Sequence, residues 1–135
     1  MEKEIITEQL PVGVVGLGLM GCSITTCLLM AGHPVIAVAP LPVDLEKAED
    51  RIRGHLSRSG VEGLVSDAPE TYLASLRITE NYGELKDCVL VIECTLESLP
   101  IKQSVYAKIE AVIRPDALLT SNTSAIPPVA SGPIS

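Results

Sequence analysis

Residues 11–39, PVGVVGLGLMGCSITTCLLMAGHPVIAVA, decide the fold. Pro11–Leu17 is a short apolar run rich in β-branched residues, the mark of a buried strand. It ends in a glycine cluster, after which Leu19–Ala31 is long enough for a helix. Gly32 stands where a helix C-terminus takes a left-handed residue, and Val35–Ala39 is a second buried strand. Strand, turn, helix and strand within about thirty residues make one βαβ unit. Gly16, Gly18 and Gly21 lie at the first strand-to-helix junction with G-x-G-x-x-G spacing. The first glycine permits a sharp turn, the second lets a pyrophosphate approach the backbone, and the third allows close packing of helix on strand. Free N–H groups and the positive end of the helix dipole then face the phosphates. Glycine-rich turns also arise for backbone reasons alone. Inside a complete βαβ unit the spacing reads as a dinucleotide site, with Gly16, Leu17, Gly18, Leu19, Met20 and Gly21 as the cofactor-binding turn.

The rest of the chain extends this unit. Pro40 and Pro42 break the chain, and Asp44–Ser59 reads as a polar helix with Leu45, Ala48, Ile52 and Leu56 at helical spacing. Gly60 and Gly63 open a loop, Pro69–Ser75 is a short helix and Leu76–Thr79 a short third strand. Cys88–Cys94 (CVLVIEC) is almost continuously apolar and fits a central parallel strand. Leu99–Ile113 follows as a helix with Ile101, Val105, Ile109 and Val112 on one face. Pro115 and Asp116 turn the chain into a fifth strand, Ala117–Thr120, which delivers Ser121, Asn122, Thr123 and Ser124 past its C-terminal end, the edge where open parallel sheets bind ligands. The expected class is α/β, a Rossmann-type doubly wound parallel sheet.

Composition agrees. A chain of 135 residues, 47% hydrophobic and 20% charged, has room for one domain and one core and is not disordered. With no Phe, no Trp and three Tyr, the core must come from Val, Ile, Leu and Ala, the mixture that parallel strands prefer. A net charge of −7 speaks against nucleic acid or an anionic membrane as partner. Cys22, Cys27, Cys88 and Cys94 lack CxxC or zinc spacing and are expected as buried free thiols. Met1–Gln9 is charged rather than apolar, and no run approaches the roughly 18 residues of a membrane span, so a cytoplasmic setting is the expectation. One part of a dinucleotide site is absent. The end of the second strand, where a carboxylate usually accepts from the adenosine ribose, reads Val38, Ala39, Pro40, with no acid before Asp44 and no Arg directly after the strand for an NADP phosphate. Unless Asp44 reaches back, NAD binding is weakened.

Three blocks resemble the 3-hydroxyacyl-CoA dehydrogenase family: GLGLMG with AGH at Ala31–His33, VIECTLESLPIKQSVYAKIEA at Val91–Ala111, and SNTS at Ser121–Ser124. The resemblance covers almost the whole chain. It implies NAD as cofactor and reversible hydride transfer between a 3-hydroxyacyl-CoA and NAD, as in fatty-acid β-oxidation. It implies that Glu97 and Lys102 contact the nicotinamide half, that Asn122 lies beside the nicotinamide, and that the catalytic Ser124 orients the reacting oxygen. Ala39 replaces the family's usual Asp. His55, with Arg51, Arg53 and Arg58, maps near the contact with CoA of the acyl-CoA substrate. The family's catalytic histidine, its glutamate partner and a helical second domain follow the SNTS block. Residues 1–135 are therefore expected to be the NAD-binding domain alone, truncated before its last strand or strands and before the helical domain, inactive by itself, and part of a parent that is a homo-oligomer through that domain. Two other readings remain: a β-hydroxyacid dehydrogenase-type NAD(P) domain, which shares GLGxMG and AGH, and a non-catalytic dinucleotide-binding module.

Overall fold

Strands that are apolar on both faces must be covered on both. The computed structural model describes residues 10–65, 67–95 and 99–121. In chain order the elements are β1 (Val12–Val15), α1 (Leu19–Met30), β2 (Val35–Val38), α2 (Pro42–Val61), α3 (Pro69–Leu73), β3 (Leu76–Thr79), a 3₁₀ helix (Tyr82–Asp87), β4 (Leu90–Glu93), α4 (Leu99–Glu110) and β5 (Leu118–Ser121). The sheet order is β3-β2-β1-β4-β5 and every pairing is parallel. This is the Rossmann-type doubly wound sheet. Val15 stands opposite Val38 on one side and Glu93 on the other, so the C-terminal ends of the three central strands are flush.

Side chains alternate across the sheet as the pleat requires. Val14, Val35, Ala37 and Ala39 pack with Cys22 and Leu29 of α1 and with Ala48, Ile52 and Leu56 of α2. Val15, Val38 and Val91 pack on the other face with Leu85, Cys88, Val105 and Ile109. Helices α1 and α2 therefore share one face, and α4 covers the other.

Several details differ from the sequence reading. Helix α2 starts at Pro42 rather than Asp44, because proline lacks only an N–H that the first turn leaves unpaired and its φ is already helical. The 3₁₀ helix was not anticipated. Asn81 caps it by accepting from the Gly83 N–H at 2.9 Å. Helix α4 ends at Glu110, and its inward face is Lys102, Val105, Tyr106 and Ile109, whereas Ile101 is 43% exposed. Cys22 and Cys88 are buried as expected, but Cys94 is half-buried and Cys27 is exposed, since Cys27 lies on the side of α1 opposite its buried positions Cys22, Thr25, Thr26 and Leu29. Among the described residues no helix is long and apolar enough to cross a membrane.

Ile52, fully buried between α2 and the sheet, anchors this face. Ile52→Ala is expected to lower unfolding stability by about 2–5 kcal/mol, measured in urea, whereas Glu46→Ala on the exposed side of α2 is expected to stay within about 0.5 kcal/mol of wild type.

Candidate functional site

The chain leaves β1 for α1 on one face of the sheet and leaves β4 for α4 on the other. A crevice opens between those two exits, where doubly wound folds bind ligands. The glycine turn lines it. Gly16 has φ +100°, and a Cβ there would lie 2.8 Å from the carbonyl carbon and oxygen of Cys94. A Cβ at Gly21 would lie 1.7 Å from the Gly16 carbonyl oxygen, so α1 seats directly on the turn. At Gly18 a Cβ would meet nothing within 4 Å. No side chain caps the N-terminus of α1 and no acidic residue sits in its first turn, which leaves its leading N–H groups and dipole to an anion. Leu17 is buried, and its carbonyl accepts from Cys22 Sγ at 3.3 Å and from Arg51 Nη1 at 3.0 Å. Leu19 and Met20 are exposed beside the turn.

A cavity of about 100 Å³ adjoins Gly16 and Gly18. Pro40, Leu41 and Asp44 form its wall on the β2 side, and Cys94, Thr95 and Ile101 its wall on the β4 side. An open Gly18, an uncapped helix end and largely apolar walls fit a dinucleotide, whose pyrophosphate needs backbone donors and whose bases need apolar cover. Of the turn residues of the sequence reading, Gly16 and Gly18 line this cavity, and Asp44 joins them.

Behind the β4 wall lies a buried ionic network that the sequence reading missed. Glu93 and Lys102 are both fully buried. Lys102 Nζ donates to Glu93 Oε1 and, at 3.1 Å, to Ser121 Oγ. Ser121 Oγ donates to Glu93 Oε1 at 2.9 Å, and Glu93 Oε2 accepts from the N–H of Thr95 at 2.6 Å and from the Thr95 hydroxyl. Burial pushes the Glu93 carboxyl up, but the hydrogen bonds from Lys102, Thr95 and Ser121 outweigh it and hold the group below the ordinary carboxylate range. Burial also drives the Cys94 thiol up to about 11, which keeps it protonated and unreactive. The signal for the pair was a lone carboxylate in an apolar strand, followed nine residues later by a lysine. Glu97, Asn122 and Ser124 lie outside the described residues.

At the end of β2, Ala39 is buried and offers no polar atom. Asp44 Oδ1 pairs with Arg51 Nη1 at 3.2 Å. The arginines do not gather into one phosphate site: Arg53 pairs with Glu49 and Glu70, and Arg58 Nη2 lies 2.6 Å from His55 Nδ1. His55 lines a separate groove between α1 and α2 with Ser23, Thr26 and Cys27. Eleven residues beyond Asp44, it is about 16 Å further along α2. Burial and then the Arg58 charge push its pKa down.

The family description "3-hydroxyacyl-CoA dehydrogenase, NAD binding domain" matches residues 11–130. A probable 3-hydroxybutyryl-CoA dehydrogenase of Deinococcus radiodurans is 31% identical over 115 residues, covering 85% of this chain and 41% of that protein. The 3-hydroxybutyryl-CoA dehydrogenase of Mycobacterium tuberculosis is 36% identical over 118 residues, covering 86% and 41%. The crystal structure of M. tuberculosis FadB2 superposes with a TM-score of 0.84 at 34% identity, covering 91% of this chain and 44% of that one. The chain thus spans less than half the length of these relatives.

Glu93→Gln would remove the buried carboxylate that pairs with Lys102 and is expected to cost about 3–5 kcal/mol at neutral pH, read by urea unfolding. The double replacement Glu93→Leu/Lys102→Met should recover most of that loss. Because the folded pKa of Glu93 lies below its unfolded value of about 4.3, its stabilisation is full above that value and is lost as pH falls through the lower folded one. Wild-type stability should therefore drop more steeply below about pH 4.3 than that of the double variant.

Proposed function

The chain belongs to the family of 3-hydroxyacyl-CoA dehydrogenase NAD-binding domains, and from that membership we propose that it holds the cofactor for hydride transfer between C3 of a 3-hydroxyacyl-CoA and NAD. The observation that carries this reading is Gly18. Its backbone is extended, with φ −71° and ψ −160°, a conformation open to any residue, and a side chain there would meet nothing in the protein. Local sterics do not demand glycine at this position, whereas a phosphate against the backbone would.

NAD, when bound, supplies the hydride acceptor. The residues divide the remaining work. Gly16 turns the chain, and the first N–H groups of α1 bind the pyrophosphate. The Glu93–Lys102–Ser121 network braces the ends of β4 and β5, and we assign Lys102 this positioning role in addition to the nicotinamide contact that the sequence resemblance implies. On that same resemblance we assign Ser124 to orienting the substrate oxygen and Asn122 and Glu97 to the nicotinamide side. An acyl-CoA is the substrate class, and four unpaired thiols suit a reducing, cytoplasmic setting. The family's general base is a histidine. The two histidines of this sequence do not serve: His33 follows α1 at the N-terminal edge of β2, away from the ligand edge, and His55 faces the α1–α2 groove.

The chain is expected to bind NADH, followed by cofactor fluorescence, without oxidising 3-hydroxybutyryl-CoA. Gly18→Val should keep the circular dichroism and urea midpoint of wild type while weakening NADH binding by about tenfold or more, or about 1.4 kcal/mol. Undiminished NADH affinity in a folded Gly18→Val protein would remove the pyrophosphate from this turn.

A further inference from the structure

We propose that Asp44 is the residue that selects NAD over NADP, in place of the carboxylate missing at the end of β2. The proposal rests on the reading that the glycine turn holds the cofactor, and it names the group that recognises the adenosine ribose. In dinucleotide sites a strand-end carboxylate accepts from the ribose 2′-hydroxyl and repels the 2′-phosphate of NADP. Ala39 occupies that strand end, with its methyl buried in the core.

Asp44 is the carboxylate among the residues lining the cavity at Gly16 and Gly18. Its side chain is 14% exposed and belongs to the first turn of α2, just past Pro40 and Leu41. One guanidinium nitrogen fixes it: Arg51 Nη1 lies 3.2 Å from Asp44 Oδ1 and 3.0 Å from the Leu17 carbonyl oxygen. The carboxylate is thereby tied to the turn that receives the phosphates. Arg51 engages Oδ1, and among the described residues no side chain donates to Oδ2, which can accept from a hydroxyl. A 2′-phosphate in the same place would meet the negative charge of Asp44. Arg51, the cation that would welcome it, is already neutralised.

Removing the Asp44 charge should therefore act in opposite directions on the two cofactors. In titrations of the full chain, wild type is expected to bind NADH at least about tenfold more tightly than NADPH, the range of one charge-assisted hydrogen bond. Asp44→Asn should weaken NADH about tenfold and tighten NADPH by freeing Arg51. An NAD analogue with a 2′-deoxyadenosine should bind wild type about tenfold more weakly than NAD, yet bind Asp44→Asn as well as NAD does. A carboxylate that merely braces Arg51 would not produce that equality. Should Asp44→Asn fail to fold, the deoxy comparison on wild type decides. Wild type that binds NADH and NADPH equally, or does not distinguish NAD from its deoxy analogue, overturns the role of Asp44 while leaving the cofactor site standing. Wild type that binds neither cofactor overturns both.

Discussion

The seat of α1 on the β1 turn sets the rest of the site. With the Gly16 carbonyl oxygen only 1.7 Å from where a Gly21 Cβ would be, the helix meets the strand end with no side chain between them. That close approach, together with the left-handed φ of Gly16, brings the start of the helix to the cavity that Gly16 and Gly18 line. Because the three central strands end flush, the backbone donors of the helix and the walls supplied by β2 and β4 meet around one small volume.

Electrostatics complete what sterics begin. A buried Glu–Lys pair is costly to desolvate and is not by itself a source of stability, but once formed it tolerates little displacement. Here the pair links the end of β4, the inner face of α4 and the end of β5 through Ser121. Those are the elements that lead into the stretches carrying Glu97, Asn122 and Ser124. The wall of the crevice is therefore held by charge on the β4 side, and on the β2 side by the Asp44–Arg51 pair.

The βαβ unit, the parallel sheet and the glycine turn were legible because they rest on local signals: apolar runs of strand length, helix stops and glycine spacing. The fifth strand and the ligand edge followed from the same signals. What the sequence reading misplaced depends on partners distant in the chain. Periodicity turned Ile101 inward because an isoleucine is apolar, whereas a lysine one residue later takes that position, since Glu93 lies across from it. Likewise Cys27, flanked by apolar residues, reads as core until α1 is set against the sheet. From the sequence, Asp44 is the first carboxylate after the usual strand-end position, and whether it reaches back stays open. Its approach to the crevice depends on Arg51 and on the helix starting at Pro42, neither of which a linear pattern reveals.

The bond from Arg51 to the Leu17 carbonyl spans 34 positions and bears on the order of assembly. A contact of that separation forms only after the intervening loop has closed. The glycine turn, although written in six consecutive residues, thus reaches its final shape late, once α2 has docked on α1. A peptide of residues 11–39 would contain every glycine of the motif and still lack the guanidinium that holds the turn in place.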